Sequence, residues 1–147
     1  MRKNYAAILG ILALCFLLRV LGQVLVAFFG VGFLPPMAEW YSGLIPYSVL
    51  LPIQLFILAV QAKITWDIYR GSGVFAIRRP RAGVVLCWLS YVYFGTMVLR
   101  YIITMYLYPE RRWFGGAIPI FFHLVLATYL FVLGRFQVSV DHGDSQR

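Results

Sequence analysis

Residues 5–29 read YAAILGILALCFLLRVLGQVLVAFF, and Arg19 is the one charged side chain among them. A helix rises about 1.5 Å per residue and the hydrocarbon core of a bilayer is about 30 Å thick, so about 20 apolar residues are enough to cross it. This stretch exceeds that length. We therefore predict that it forms a transmembrane helix, and the fold depends on how often such a stretch recurs.

Three further stretches of this kind follow, at residues 44–68, 83–108 and 116–133. The links between them contain residues that end helices, namely Pro35, Pro36, Gly71, Gly73 and Pro109. The sequence therefore predicts an all-α fold, an antiparallel bundle of four transmembrane helices in one domain over residues 1–136. Residues 137–147 are mostly polar and are expected to form a short cytoplasmic tail.

The composition indicates that the main solvent of this chain is lipid. Of its 147 residues, 62% are hydrophobic and 12% are charged, and the mean hydropathy is +0.82. Soluble domains are about 45–50% apolar and carry charge on about a quarter of their residues. So few charges cannot cover a surface in contact with water, which excludes a water-soluble globular protein. We expect an integral protein of a bacterial plasma (inner) membrane.

The net charge of +8 arises from 13 Lys and Arg against 5 Asp and Glu. Basic residues mark the cytoplasmic loops of membrane proteins. Here they gather at the N-terminus, in the second link and after the fourth stretch, as Arg2, Lys3, Arg70, Arg78, Arg79, Arg81 and Arg135. Both termini are therefore predicted to be cytoplasmic. This distribution accounts for the charge without a nucleic-acid partner, and we expect membrane lipids as partners instead.

Six polar side chains are candidates for a ligand-binding site, because polar and charged groups are costly in hydrocarbon. Arg19 and Arg100 lie about 21 Å and about 25 Å from the cytoplasmic ends of their helices, and His123 lies about 10 Å from the outer end. All three fall in the outer third of the bilayer. Three neighbours join them, so the candidate ligand-binding residues are Arg19, Gln23, Glu39, Gln54, Arg100 and His123.

The sequence leaves three interpretations of this group open. Two guanidinium groups in a low dielectric attract carboxylate or phosphate, which favours a pocket for an anionic lipid or a small ligand. A structural network is the second interpretation, with Glu39 paired to one arginine and the two glutamines completing the hydrogen bonds. The third is a transport or catalytic site, in which Arg19 and Arg100 hold an anionic group and Glu39 or His123 moves a proton.

His123 has a further candidate role as the axial ligand of a haem or a chlorophyll-type pigment, which needs one imidazole and small residues nearby. Gly116 and Ala127 share its face of the fourth helix. Small residues on a transmembrane face more often serve helix packing. We therefore expect a hydrogen-bonded core histidine and no cofactor, and no metal-ligand spacing occurs in the sequence.

The functional expectation is a binding or structural protein. The sequence has no glycine-rich phosphate loop, no carboxylate pair within a span and no Ser-His-acid arrangement. We expect an accessory or structural subunit of a membrane complex, with an outer-side pocket for an anionic lipid or small ligand. Its partners would be other membrane subunits or further copies of itself. The alternative is a small transporter or a lipid-handling membrane enzyme, and the third is a pigment or haem carrier.

Lys63 and Asp67 are spaced i, i+4 near the cytoplasmic end of the second stretch. This spacing predicts an ion pair at the membrane interface. An exposed pair contributes less than about 1 kcal/mol to the free energy of unfolding, so we expect it only to mark the end of the helix.

Overall fold

A computed structural model describes residues 1–40, 45–107 and 117–139. These residues form five helices: α1 (Arg2–Phe29), α2 (Met37–Trp40), α3 (Tyr47–Arg70), α4 (Pro80–Leu107) and α5 (Ala117–Val138). All except the single turn α2 are long and apolar enough to cross a membrane, as the four predicted stretches require. The described part of the chain is all-α and contains no β-strand.

The helices differ from the predicted stretches mainly at their ends. Helix α4 begins at Pro80, a residue that suits the first turn because no N–H partner is needed there. Helix α5 runs to Val138, so Gln137, which we assigned to the polar tail, is instead a buried helical residue. The rest of the predicted tail from residue 140, and the third link at residues 108–116, lie outside the described residues.

Helices α1 and α3 are each followed by a glycine whose backbone is in the left-handed region of conformation. Gly30 follows α1 with φ 59°, and Gly71 follows α3 with φ 73°. Residues with side chains rarely adopt these angles, whereas glycine does so at little cost. A side chain at Gly71 would also collide with the guanidinium group of Arg2. The N-terminus therefore lies beside the link from α3 to α4.

The long helices pack in the order α3, α1, α5, α4, which is not their order in the chain. Helix α1 contacts both α3 and α5, and α5 also contacts α4. Among the residues that the structure describes, α3 and α4 do not pack against each other. The helix backbones thus form a row with α1 and α5 in the middle. Side chains of α3 and α5 also meet across this row, because the hydroxyl of Tyr129 donates to the backbone carbonyl of Gln61 at 3.1 Å.

Neighbouring helices in this row are antiparallel, so the molecule has two ends. We call the end that contains Met1, residues 71–79 and Ser139 the terminal end, and the opposite end, which contains α2, the α2 end. Three pairs of contacts establish the directions, namely Gly10–Thr65 with Gln23–Gln54, Tyr5–Phe136 with Arg19–Phe122, and Gly83–Gly134 with Tyr93–His123.

The apolar core lies between α1, α3 and α5 in the half of the molecule nearer the terminal end. Its buried members are Ala6, Leu9, Ile64, Ile68, Tyr129, Leu133 and Phe136. In lipid, such a core holds helices together by close van der Waals packing, because hydrocarbon tails are as apolar as the side chains. Helix α4 contributes no fully buried member to this cluster, and its half-buried Leu86 packs against it.

Helix α4 joins the row through a close approach to α5 at two glycines. A Cβ atom at Gly83 would lie 2.8 Å from the carbonyl oxygen of Gly134. A Cβ atom at Gly134 would lie 2.7 Å from the Sγ atom of Cys87. Neither helix could carry a larger residue there without moving apart. This is the small-residue packing common between transmembrane helices.

Asp67 and Gln137 hold the link between α3 and α4 at the terminal end. Asp67 is 3% exposed, forms an ion pair with Lys63, and accepts a hydrogen bond from the N–H of Phe75 at 3.4 Å. Gln137 donates to the carbonyl of Phe75 at 3.1 Å and accepts from the N–H of Arg79 at 2.8 Å. The predicted ion pair forms, but the expectation that it is exposed is wrong for its carboxylate.

Candidate functional site

A chain of buried hydrogen bonds joins α1, α2 and α3 at the α2 end. Arg19 and Gln23 lie one turn apart on α1 and therefore share a face. An Nη atom of Arg19 and the Nε2 atom of Gln23 both donate to the backbone carbonyl of Trp40, at 3.3 Å and 3.0 Å. The Nε2 atom of Gln54 donates to the Oε1 atom of Gln23 at 2.9 Å. Three of the six predicted site residues are thus linked.

The carbonyl of Trp40 accepts two of these hydrogen bonds, although Trp40 is not among the six predicted site residues. Its indole ring lies on Gly22, where a Cβ atom would be 2.6 Å from the Cη2 atom. Its Nε1 atom donates to the carbonyl of Pro35 at 2.9 Å, which fixes the turn into α2. Gly22, which lies between Arg19 and Gln23, is the one sequence feature that indicates a close contact at this position. The sequence does not indicate that Trp40 is the partner.

Among the described residues, no carboxylate balances the charge of the buried guanidinium group of Arg19. The side chain is 8% exposed, and it lies over the rings of Phe16 at 6.0 Å and Phe122 at 5.5 Å. Among the described residues, the one ion pair is Lys63–Asp67 at the other end of the molecule. The Nε atom of Arg19 also has no hydrogen-bond partner among the described residues. Ring faces attract the cation, but neither they nor a carbonyl cancels its charge.

Two more buried polar atoms near Arg19 lack hydrogen-bond partners among the described residues, the hydroxyl of Tyr47 and the Oε1 atom of Gln54. Tyr47 begins α3 and lies within electrostatic range of Arg19. An unpaired polar atom of this kind costs about 1–3 kcal/mol in a protein interior. The cluster therefore offers two donors and one acceptor that a bound molecule would satisfy.

His123 on α5 lies beside the same cluster and pairs with α4. Its Nδ1 atom is hydrogen-bonded to the hydroxyl of Tyr93, and the two rings meet edge to face with centroids 5.8 Å apart. Both Arg19 and Arg100 lie within electrostatic range of the imidazole. A haem or pigment ligated by His123 stays a prediction, and Gly116, which supported it, is outside the described residues. No group of metal ligands occurs in the described ranges.

Arg100 and Glu39, the remaining predicted residues, lie apart from the hydrogen-bonded chain. Arg100 is half-buried on α4, and its guanidinium group makes no hydrogen bond or ion pair within residues 1–40, 45–107 and 117–139. Glu39 is half-buried on α2, next to Trp40. Among the described residues, no ion pair joins Glu39 to either arginine, and the backbone carbonyl of Trp40 is the acceptor at Arg19.

The arrangement is suited to binding rather than to acid-base chemistry. A guanidinium group and primary amides keep their protonation state at neutral pH, so they hold a ligand but do not exchange protons with it. A planar guanidinium with a free N–H suits an oxyanion. Neither a family model, nor a curated protein, nor a solved structure matches this chain.

The contact between Trp40 and Gly22 gives a direct test of this geometry. In Gly22→Ala, the new methyl group displaces the indole and pulls the Trp40 carbonyl away from Arg19 and Gln23. We expect a loss of about 1–3 kcal/mol in stability, the usual cost of overpacking, measured as a lower Tm in detergent. The matched control is Gly10→Ala on the same helix, where the nearest atom to a Cβ is a Thr65 methyl at 3.6 Å. Equal Tm values for the two variants would contradict the described contact between Trp40 and Gly22.

Proposed function

We propose that this chain is a multi-pass protein of the bacterial plasma membrane that holds an anionic lipid headgroup, or a small anionic ligand, at the polar cluster of the α2 end. It would serve as an accessory or structural subunit, alone or with further copies or other membrane proteins. Three features of the molecule support this proposal, namely the apolar outer surface, the placement of basic residues and the environment of Arg19.

The outward faces of the long helices support insertion into lipid. Large apolar side chains stand exposed along them, such as Ile11 (62%), Leu18 (58%), Phe56 (70%) and Trp88 (69%). A monomeric soluble protein rarely exposes apolar patches larger than a few hundred Å², because water makes them costly. Hydrocarbon tails remove that cost, so these faces fit a bilayer.

The placement of basic residues supports a cytoplasmic terminal end. Arg2 lies against Gly71, Arg78 donates to the carbonyl of Ser139, and Arg135 lies in the last turn of α5. Three separate segments therefore bring arginines to this end. Basic residues in short loops stay on the cytoplasmic side. The α2 end, with the polar cluster, would then face the outside.

Thiol labelling in intact cells tests this sidedness. In a background without Cys15 and Cys87, we expect Phe33→Cys, an 84% exposed position at the α2 end, to react with a membrane-impermeant maleimide. Arg79→Cys at the terminal end should react only after the membrane is permeabilised. Labelling of Arg79→Cys in intact cells would reject the proposed topology.

The single observation that carries the binding proposal is the uncompensated charge of Arg19. A charged group buried in a low dielectric is normally paired, because desolvation costs several kcal/mol per ion. Arg19 has one carbonyl acceptor and two aromatic rings, while its Nε atom is unpaired within the described part of the chain. A phosphate or carboxylate oxygen at this atom would supply both the missing hydrogen bond and the missing charge.

The alternative proposal, a transporter or lipid-handling enzyme, draws support from one contact. The hydrogen bond between Tyr93 and His123 connects an imidazole to a hydroxyl, and Arg19 lies within electrostatic range of both. Such a pair could move a proton next to a bound anion. It ranks second because binding alone already accounts for Arg19.

The binding proposal predicts a stabilisation by anionic lipid that depends on Arg19. Phosphatidylglycerol, added to protein in a maltoside detergent, should raise the Tm more than phosphatidylcholine does. Arg19→Gln should lose at least about tenfold in apparent affinity for phosphatidylglycerol, because a charged hydrogen bond contributes about 1.5–3 kcal/mol. The variant should still fold, since Gln23 keeps its bond to Trp40.

The control for charge is Arg79→Gln, which removes one positive charge from an exposed side chain at the terminal end. It should keep the full response to phosphatidylglycerol. Equal responses of the wild-type protein to the two lipids would contradict the proposal. So would an equal loss of response in both variants, because the effect would then reflect net charge alone.

A further inference from the structure

A cavity lies between α3 and α5, and Tyr93 of α4 also lines it. It has a volume of about 340 Å³, within the range of about 300–1,000 Å³ that small-molecule sites occupy. Phe56 at its edge is 70% exposed, so the cavity opens on the outer surface of the helices. Its walls are apolar and aromatic apart from one amide, and they include Ile57, Val60, Gln61, Leu126, Tyr129 and Leu130.

Gln61 is the polar exception, and its carboxamide group is unsatisfied. The residue is 3% exposed, and neither its Nε2 nor its Oε1 atom has a hydrogen-bond partner within the described residues. The hydroxyl of Tyr129 instead donates to the backbone carbonyl of Gln61 at 3.1 Å, which fixes the main chain of α3 beside the cavity. No hydrogen bond holds the amide, so it can rotate toward the cavity without breaking one.

We propose that this cavity binds a neutral, lipid-soluble molecule through a hydroxyl group that pairs with the Gln61 carboxamide. A primary amide presents a donor and an acceptor side by side, and a hydroxyl group provides the complement of both. The lining carries no charged side chain, which disfavours an ion in a site exposed to hydrocarbon. The apolar walls would hold the body of the molecule.

This site is separate from the hydrogen-bonded chain at Arg19, although one of its lining residues, Tyr93, is hydrogen-bonded to His123 beside that chain. Gln54, the nearest member of the arginine cluster on α3, is seven residues from Gln61, which is about 10 Å along a helix. The hydroxyl could belong to an aliphatic lipid alcohol or to a quinol ring. Both share the same hydrogen bonds, and the aromatic side chains Phe56, Tyr93 and Tyr129 would pack on either body.

Thermal shifts with matched ligands test the proposal on purified full-length protein. The probes are farnesol, its methyl ether, which cannot donate a hydrogen bond, and decylubiquinol. Farnesol or decylubiquinol should raise the Tm of the wild-type protein at about threefold to tenfold lower concentration than the ether, as one hydrogen bond warrants. A response to farnesol assigns an aliphatic alcohol, and a response confined to decylubiquinol assigns a ring.

Gln61→Leu removes the amide at similar volume. It should abolish the preference for hydroxyl over ether, and without ligand it should be at least as stable as the wild-type protein, because an unsatisfied buried group is gone. Thr128→Val, an exposed polar-to-apolar change on α5, is the matched control and should keep the preference. Leu130→Trp, which fills the cavity, should abolish binding of all three probes.

Two results would overturn the proposal. One is an equal response of the wild-type protein to farnesol, its ether and decylubiquinol, which would mean that the cavity accepts bulk lipid without regard to the amide. The other is a preference for hydroxyl that persists in Gln61→Leu. Neither result bears on the phosphatidylglycerol response at Arg19, so the two sites are tested separately.

Discussion

The α2 end of this protein is organised around a single buried positive charge. Arg19 projects from the middle of the row of helices, and the carbonyl of Trp40 is its hydrogen-bond acceptor among the described residues. Gln23 donates to the same oxygen, and its own Oε1 atom accepts a hydrogen bond from Gln54 on α3. The bonds from Arg19 and Gln23 to the Trp40 carbonyl are the polar contacts that the described residues show between α1 and α2. The position of the single turn between the first two spans thus follows from the need to satisfy donors inside an apolar region.

The two ends of the molecule solve different physical problems. At the terminal end, van der Waals packing of a core between α1, α3 and α5 holds the helices together, and Asp67 and Gln137 fix the adjoining link. At the α2 end, buried polar groups take over and leave several atoms unpaired. Groups of this kind destabilise a fold unless something pairs with them. The contrast separates a closely packed end from an end at which buried polar atoms lack partners among the described residues.

Hydropathy alone was sufficient to predict the four long helices, because a run of about 20 apolar residues has few alternatives to a spanning helix. The grouping of Arg19, Gln23 and Gln54 was also predictable, since polar residues in such helices face inward. The order α3, α1, α5, α4 was not, because it depends on glycine contacts such as Gly83 with Gly134 that only tertiary structure pairs.

The acceptor at Arg19 was not predictable, for a physical reason. Glu39 was one candidate partner of the two arginines, because a carboxylate suits a buried guanidinium, and the acceptor that the structure describes at Arg19 is the backbone carbonyl of Trp40. The sequence does not show which backbone carbonyl will meet a buried side chain. Here the packing of the Trp40 indole on Gly22 places the Trp40 carbonyl beside Arg19. The hydrogen bond between Tyr93 and His123 was not predicted either, because it joins two helices whose packing the sequence does not show.

The central claim is that an anionic oxygen completes the hydrogen bonding of Arg19, and a distance measurement tests it most directly. Solid-state NMR of the protein in phosphatidylglycerol bilayers can detect dipolar coupling between the ¹⁵Nε nucleus of Arg19 and lipid ³¹P. The account predicts a coupling that corresponds to a direct hydrogen bond, with a nitrogen-to-oxygen distance of about 2.7–2.9 Å. Absence of this coupling, with the Nε atom bonded to a protein carboxylate or to water, would contradict it.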